Sequence, residues 1–268
     1  MPADLTSPRS ARVTEVRHLH ERRHRAERGA FVVEGPQAVR EALGQGVLEL
    51  YLTEAAADRH PEFVEQARDA GGRVVLATED VLVAMSETRH PQGVLAVCAL
   101  VARPLDDVVA SLPGAAPLVV VLDRVSDPGN AGTIIRTADA MGADAVVLTE
   151  GSVDPHNGKC VRATAGSIFH VPISVDVPAG DVRRVFGDAG LSLVAADAHA
   201  EASLDDEPDL LRGPIAWVFG SEAHGVDAAW LESASATLRI PMSGDVESLN
   251  LAASAAICLY ATSRARGT

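Results

Sequence analysis

From residue 118 onward, short continuous apolar runs alternate with longer stretches of mixed apolar and polar residues. Strands are predicted over 118–122, 145–149, 171–173, 191–195, 215–219 and 236–240, and helices over 132–141, 159–165, 181–189, 226–233 and 247–264. Continuous apolar strands that alternate with helices are typical of a parallel sheet covered on both faces. This part of the chain is therefore predicted to be an α/β domain.

The first hundred residues show a shorter alternation of the same kind. A helix is predicted over 1–30, strands over 31–35, 47–53, 73–77 and 94–101, and further helices over 36–43 and 61–70. Prolines at 104, 113 and 117 then interrupt the pattern. We predict a small α/β domain over 1–104, a linker over 105–117 and a second α/β domain over 118–268.

Composition narrows the class of protein. Hydrophobic residues make up 47% of the 268 residues and aromatic residues only 3%, so the cores must be aliphatic. No apolar run reaches the roughly 18 residues of a membrane span, and residues 1–10 do not resemble a signal peptide. Cys98, Cys160 and Cys258 are widely spaced, which indicates neither a disulfide framework nor a zinc site. We therefore expect a cytoplasmic protein without a metal.

The charge is unevenly distributed along the chain. The net charge is −14, yet residues 1–30 contain seven arginines and four acidic residues. A basic arm on an acidic body can dock on RNA, because phosphates attract arginine. Our hypothesis is that RNA phosphates are bound by Arg9, Arg12, Arg22, Arg23 and Arg25. The alternative is an arginine-rich, solvated helix.

The loops that follow the predicted strands are the expected place for a ligand site, because parallel α/β sheets bind ligands at the carboxyl ends of their strands. After the strand 118–122, Asn130 occupies a predicted helix N-cap and Arg136 lies in the second helical turn. The loop lacks the GxGxxG pattern, and Pro128 interrupts the turn, which disfavours an ordinary dinucleotide site or a P-loop.

Two later loops also combine glycine with polar residues. Gly220 follows the strand 215–219, and its small size would let a ligand approach the backbone. Glu222 and His224 come next; the Glu222 carboxylate could belong to a site or could simply compensate the dipole of the following helix. The third loop leads to Ser248 and Asn250 at the predicted start of the last helix. At a helix start these side chains could bind the polar edge of a ligand, or they could simply cap the helix. Each loop alone is weak evidence for a site.

In this order, the three loops resemble the SpoU/TrmH branch of the SPOUT RNA methyltransferases. The matching blocks are 123–138 with Asn130-x-Gly132-x-x-x-Arg136, then 219–225, then 240–242 followed by 248–250. The resemblance covers about 118–264. Residues 9–101 resemble this family's substrate-binding domain, which is similar to a small RNA-binding ribosomal protein, through 31–35 and 91–94.

The resemblance implies an S-adenosylmethionine-dependent enzyme that methylates a ribose 2′-hydroxyl, with ribosomal RNA favoured by the extra domain. It also implies a deep trefoil knot and a homodimer with the active site at the subunit interface. The catalytic residues would be Asn130, Arg136, Glu222, Ser248 and Asn250. The cofactor would be held by Gly220, Ile240, Met242, Ser248 and Leu249, with Ala195 and Ala196 near the adenine.

Other functions stay open at this point. The protein could methylate transfer RNA, or it could be a non-catalytic RNA-binding or ribosome-assembly protein, although the complete polar set argues against a pure binder. A nucleotide-dependent dehydrogenase would use an acid such as Glu150 after its second strand, but it requires the missing glycine pattern. The resemblance leaves open the modified nucleotide, the general base, and whether the modification is housekeeping or confers antibiotic resistance.

Overall fold

The chain forms two compact units in the computed structural model, which describes residues 3–244 and 246–267. The first unit contains the described residues up to Val101 together with His156–Phe169. The second contains Ala102–Pro155 and the described residues from His170 onward.

The helices, numbered along the chain, are α1 Ala11–His18, α2 Arg22–Arg28, α3 Pro36–Ala42, α4 Glu54–Arg59, α5 Pro61–Asp69, α6 Glu79–Met85, α7 Leu105–Ala110, α8 Pro128–Ala140, α9 Gly158–Thr164, α10 Ala179–Asp188, α11 Pro208–Arg212, α12 Ala228–Ser233 and α13 Leu251–Arg266. The strands are β1 Ala30–Glu34, β2 Val47–Leu52, β3 Arg73–Leu76, β4 Val94–Ala99, β5 Leu118–Leu122, β6 Ala145–Thr149, β7 Ile173–Val177, β8 Ser192–Ala196, β9 Ala202–Ser203, β10 Ile215–Phe219 and β11 Ala236–Arg239. None of the helices in the described part of the chain is long and apolar enough to cross a membrane.

The first unit is built on a mixed four-stranded sheet in the order β1-β4-β2-β3. β4 is antiparallel to both β1 and β2, and β3 is parallel to β2. Val13, Val16 and Leu19 from the first helix and its end pack with Tyr51 and Val97 of the sheet in one buried cluster. This cluster anchors the arginine-rich segment to the unit.

The second unit is a seven-stranded sheet in the order β7-β6-β5-β10-β8-β11-β9. Every described pair of neighbouring strands is parallel. The strands β5, β6 and β10 are buried along their whole length, which is why they are continuous apolar runs in the sequence. The predicted parallel α/β sheet is therefore confirmed.

The two faces of this sheet are covered by different helices. On one face, Ala216 and Val218 of β10 pack with Phe186 of α10 and Trp230 of α12. Trp217 points to the opposite face, where its indole N–H donates to Thr262 Oγ1 of α13 at 2.9 Å. Helix α8, which follows β5, packs on α13. It therefore lies on the face opposite to α12, the helix that follows the neighbouring strand β10. This reversal opens a crevice at the carboxyl ends of the two strands, the usual ligand position in such sheets.

The division into units differs from the predicted domains in two places. The predicted linker 105–117 contains α7. Leu105, Val108 and Val109 of this helix, with Leu112 just after it, pack into the second unit's core. The segment 156–169, predicted within the second domain, belongs to the first unit. There the rings of His156 and Phe169 contact Phe31, with centroids 4.8 and 6.0 Å apart.

The predicted helix over 1–30 is also interrupted. It is two short helices, α1 and α2, and the chain turns between them. Arg25 stabilises this turn, because its guanidinium donates to the carbonyl oxygens of Leu19 and His20 at 3.0 and 2.8 Å. A buried side chain thus satisfies carbonyl groups that a continuous helix would have bonded internally.

Candidate active site

The β5 loop, residues 123–127, begins at the sheet and ends at the first turn of α8. Asp127 is the N-cap, and its Oδ1 accepts from the backbone N–H of Asn130 at 2.8 Å. Pro128 occupies the first helical turn, where its missing N–H costs nothing. Asn130 is therefore inside the helix rather than at its cap, and its side chain is free for a different bond.

The β10 loop, residues 220–227, folds back on itself. Ser221 and Gly225 form an antiparallel bridge, so the loop closes over Gly220. A Cβ added to Gly220 would collide with the backbone carbonyl of Gly225. Only glycine permits this close approach, and the turn carries Glu222 and His224 at the carboxyl end of the sheet.

The β11 loop, residues 240–244 and 246–250, replaces the first turn predicted for the last helix. Helix α13 starts at Leu251, and Asn250 is its N-cap. Asn250 Oδ1 accepts from the N–H groups of Ala252 and Ala253 at 3.0 and 3.3 Å. The prediction that Ser248 and Asn250 lie within the helix is wrong, because capping by Asn250 leaves the preceding residues in the loop.

A chain of hydrogen bonds joins the three loops. Asn250 Nδ2 donates to Asn130 Oδ1 at 3.1 Å, and Asn130 Nδ2 donates to Glu222 Oε1 at 3.0 Å. Glu222 also accepts from the N–H groups of Asp127 and Ser126, at 3.3 and 3.2 Å, and from the Ser126 hydroxyl. Three of the predicted catalytic residues are therefore brought together.

Glu222 is held as an anion by these bonds. Partial burial acts to raise the pKa of its carboxyl, but hydrogen bonds from Asn130 and from backbone N–H groups, including those of Ser126 and Asp127, outweigh it and lower the pKa below the ordinary value. A carboxylate that accepts from four donors and has a lowered pKa is a poor proton acceptor. It acts instead as a structural centre for the loops.

A cavity of about 720 Å³ lies beside this network, within the size range of small-molecule sites. Most of the predicted cofactor-binding residues line it, namely Ala196, Gly220, Ile240, Met242, Ser248 and Leu249. Ala195 does not line it, since it is fully buried within β8 while Ala196 stands at the carboxyl end of that strand. Glu222 and Asn250 join the cavity to the hydrogen-bond network.

The polar lining of the cavity is acidic. Its carboxylates belong to Asp197, Glu222 and Glu247, and none of the described lining residues is lysine or arginine. Such a lining suits a ligand that carries positive charge and disfavours phosphate groups. Nowhere in residues 3–244 and 246–267 do three His, Cys, Asp or Glu side chains gather as they would around a metal ion.

Arg136 stands apart from the network. It lies on α8 with an exposed side chain, and it is not among the residues that line the cavity. Within the described part of the chain its guanidinium makes no hydrogen bond or ion pair. Arg136 is therefore not brought together with Asn130, Glu222 and Asn250.

Sequence reasoning missed residues of the β5 loop. Asp127 directly before Pro128 is a helix-start signature that would have located the cap. Arg124 adopts a left-handed backbone (φ 52°), and its guanidinium bonds Asp227 at 2.8 Å and Asp123 at 3.3 Å. No local signal marks Arg124 as part of the site, because its shorter bond is to Asp227, 103 positions away in the sequence.

The predicted RNA-binding arginines differ in exposure and in their ion pairs. Arg25 is only 3% exposed and bonds carbonyl oxygens, so the prediction that it grips phosphate is wrong. Arg12 lies 3.6 Å from the buried Glu49, and Arg23 pairs with Glu27 at 2.7 Å. Arg9 and Arg22 have exposed side chains.

Two family models match the chain. The model described as the SpoU rRNA methylase family matches residues 117–260, and the model described as the MRM3-like substrate binding domain matches residues 10–96. The family predicted from the motifs is therefore confirmed.

Relatives and solved structures resemble the chain over nearly its whole length. A 23S rRNA (guanosine(2553)-2′-O)-methyltransferase from Bacillus subtilis is 34% identical, covering 96% of this chain and 97% of its own. A 23S rRNA (guanosine-2′-O-)-methyltransferase from Bordetella pertussis is 32% identical, covering 83% of this chain and 91% of its own. The structure of an AdoMet-bound rRNA methyltransferase from Sinorhizobium meliloti is 31% identical with a TM-score of 0.87, covering 97% of each chain.

Proposed function

The chain belongs to the SpoU rRNA methylase family, and we propose that it transfers a methyl group from S-adenosylmethionine to a ribose 2′-hydroxyl of ribosomal RNA. The observation that carries this proposal is the hydrogen-bonded set Glu222–Asn130–Asn250, which joins three loops at the edge of the cavity. A protein that only bound RNA would not need this polar arrangement beside a small-molecule cavity.

The cavity fits S-adenosylmethionine by its chemistry. Ile240, Met242 and Leu249 offer apolar contact to a flat base, while the three carboxylates face a ligand whose sulfonium and ammonium groups are cationic. Backbone groups of Gly220, Ser248 and their neighbours would hold it. The bound cofactor supplies an already activated methyl group.

The residues of the chain then have separate tasks. Asn130 is fixed between Glu222 and Asn250, so it would position the substrate ribose. Glu222 is ionised and fully engaged, so it is a positioning residue rather than the base. Ser248 lines the cavity without a hydrogen bond to the rest of the described chain, which leaves its hydroxyl for ligand or substrate.

Arg136 would act electrostatically. A guanidinium is very hard to deprotonate, so its positive charge would stabilise the negative charge that develops on the 2′-oxygen. The hydroxyl proton would pass to solvent water or to a neighbouring RNA phosphate. Because Arg136 is exposed and lies outside the cavity of its own chain, this role fits an active site completed at a subunit interface.

We propose a homodimer formed through the second unit. On α13, the residues Ala253, Ile257, Tyr260 and Arg264 form an exposed stripe, with Ile257 38% and Tyr260 57% exposed. Large apolar side chains in such a row favour contact with another helix surface. The trefoil knot remains a prediction from the family, as does a cytoplasmic location, which suits an enzyme acting on ribosomal RNA.

The RNA-binding proposal for the arm is kept for Arg9, Arg22 and Arg23. The Arg23–Glu27 pair is exposed on both sides, so it contributes little and can give way to a phosphate. Replacement of Arg9 and Arg22 by alanine should weaken RNA binding and reduce its salt dependence. An unchanged salt slope would remove the arm from the interface.

The proposed reaction is tested by radiolabelled methyl transfer to ribosomal RNA and, separately, to transfer RNA from cells lacking the gene. Nucleoside mass spectrometry should then find a 2′-O-methylated nucleoside in ribosomal RNA alone. Arg136→Ala should abolish transfer while calorimetry still detects cofactor binding. Transfer to transfer RNA alone would overturn the substrate, and absence of cofactor binding by the wild type would overturn the enzyme.

A further inference from the structure

Arg124, the second residue of the β5 loop, has a backbone conformation that arginine rarely adopts. Its φ of 52° lies in the left-handed region, where glycine would be less strained. The Arg124 N–H donates to Thr149 Oγ1 at 3.1 Å, at the end of the neighbouring strand β6, and this bond helps to hold the conformation. An arginine at a position that favours glycine indicates that its side chain has a task.

The guanidinium of Arg124 joins two carboxylates from different loops. Its Nε–H donates to Asp123 Oδ2 at 3.3 Å, and its Nη2–H donates to Asp227 Oδ2 at 2.8 Å. Asp123 is buried directly after β5, and its other oxygen accepts from Thr149 Oγ1 at 2.9 Å. One end of this Asp123–Arg124–Asp227 bridge is therefore fixed inside the protein.

Asp227, at the other end of the bridge, is fixed as well. It is the last residue of the β10 loop and the N-cap of α12, where its Oδ1 accepts from the Ala229 N–H at 3.0 Å. The Ala229 N–H and the Arg124 guanidinium lower the pKa of the Asp227 carboxyl below its ordinary value, so it is an anion at neutral pH. Its two oxygens thus have separate partners, one in α12 and one in the β5 loop.

The ion pair between Arg124 and Asp227 differs from an ordinary surface pair. Exposed pairs usually contribute little, because the cost of ordering two flexible side chains offsets their attraction. Here the side chains are 47 and 42% exposed, yet Arg124 is already ordered by Asp123, and the short side chain of Asp227 is ordered by capping. The cost of ordering is therefore reduced, and the pair can hold the two loops together.

The bridge lies next to the cofactor cavity without forming its wall. Residues 220–226 of the β10 loop all line the cavity, and Asp227 follows directly. Glu222 already bonds the β5 loop from within this segment, and the bridge adds a second link at the end of the loop. Among the described residues that line the cavity, neither Arg124 nor Asp227 occurs. Any effect of the bridge on a bound cofactor must therefore pass through the β10 loop.

We propose that Arg124 is a positioning residue for the cofactor: its bridge between Asp123 and Asp227 holds the β10 loop in the conformation that binds S-adenosylmethionine. The proposal rests on the proposed function, which supplies the cofactor. Without the bridge, the β10 loop populates its binding conformation for a smaller fraction of the time, so the apparent affinity for the cofactor falls. Methyl transfer from cofactor that is already bound is retained.

The test measures the S-adenosylmethionine affinity of the full chain by calorimetry, without RNA. Arg124→Asn keeps a residue type that tolerates the left-handed backbone but removes the guanidinium. Asp227→Asn keeps a capping side chain but removes the charge. Each variant should weaken cofactor binding about fivefold, and so should the double variant, because both substitutions break the same pair. Arg124→Lys, which keeps the charge without the planar fork, should weaken binding only about twofold.

Arg184→Ala is the matched control. Arg184 is an exposed arginine of α10 whose partners, Asp181 and Asp188 at 3.5 and 3.9 Å, lie in the same helix. This variant should bind the cofactor like the wild type.

Two further readouts separate positioning of the loop from a general loss of folding. Because the bridge is partly exposed, added salt should weaken cofactor binding more in the wild type than in Arg124→Asn. In steady-state methyl transfer, Arg124→Asn should raise the KM for S-adenosylmethionine about fivefold while kcat stays within about twofold of the wild type.

The bridge is supported if Arg124→Asn and Asp227→Asn both weaken cofactor binding and their losses do not multiply in the double variant. It is overturned if both bind the cofactor like Arg184→Ala, or if the losses multiply. Unchanged cofactor affinity with a raised KM for ribosomal RNA would place Arg124 at the RNA interface and also overturn it. A wild type that binds no S-adenosylmethionine overturns the bridge and the proposed function together. A wild type that binds it without methylating ribosomal RNA overturns the proposed substrate alone, since the titrations still decide the bridge.

Discussion

At the scale of single residues, the orientation of the Asn130 side chain determines how the three loops of the site are joined. Its amide nitrogen donates to Glu222 and its oxygen accepts from Asn250, so only one of the two amide orientations satisfies both neighbours. The same Asn250 also caps α13. In the proposed reaction, a side chain fixed at both ends would need little reorganisation when substrate binds, which favours efficient positioning.

We predict that Asn130→Ala and Asn250→Ala are not additive. Each variant breaks the same bond, so the double variant should lose less methyl transfer than the two single losses combined, with a coupling of about 0.5–3 kcal/mol. The measurement is kcat/KM for ribosomal RNA in the four proteins of the cycle. Additive losses would mean that the two residues act independently.

Glu222 predicts an acid-side dependence of stability. Because its pKa is lowered in the folded protein from the ordinary value of 4.5, its contribution is complete above that value and is lost as the pH falls through the lowered pKa. The thermal midpoint of the wild type should therefore fall more steeply than that of Glu222→Gln as the pH drops below about 4.5. Parallel curves for the two proteins would refute the ionised role of Glu222.

At the scale of elements, the β10 loop depends on one backbone contact. We predict that Gly220→Ala weakens cofactor binding more than tenfold. The added Cβ would push residue 220 away from the backbone of Gly225 and so open the loop. Gly244→Ala is the matched control, since Gly244 has open space around it and no left-handed φ. Calorimetric titration with S-adenosylmethionine compares them, and equal affinities would show that the loop closure is irrelevant to binding.

The elements that sequence reasoning predicted well are those buried in one continuous core. The strands 118–122, 145–149 and 215–219 agree with the structure to the residue, because strands covered on both faces must be apolar throughout. Short helices such as α4, α6 and α11 were missed, since one or two turns give too little periodicity to separate them from loops.

Helix starts were misplaced wherever a cap decided them. α8 begins at Pro128 and α13 at Leu251, and in both cases an Asp or Asn side chain bonds the first N–H groups. The candidate residues of the site were nevertheless identified from the order of three motifs. Their mutual hydrogen bonds were not, because Asn130 and Glu222 are separated by 92 positions and meet only through the sheet order.

At the scale of the whole molecule, Arg136 is exposed while Glu222, Ser248 and Asn250 line the cavity. The proposed dimer explains this separation, because Arg136 would complete a site at the subunit interface. We predict that Ile257→Asp with Tyr260→Asp yields a monomer in sedimentation velocity and loses methyl transfer, because a buried charge is costly at an interface. Leu48→Asp, at an exposed apolar residue of the first unit, is the control and should remain dimeric. A wild type that sediments as a monomer would contradict the dimer.

The most direct test of the central claim is a map of ribose methylation in the ribosomal RNA of the native strain and of a strain lacking the gene. The account predicts that one ribose 2′-O-methyl group disappears in the deletion strain. It should return with a plasmid encoding the wild type but not with one encoding Asn130→Ala. Identical maps in the native and deletion strains would contradict the assignment of this chain as a ribosomal RNA 2′-O-methyltransferase.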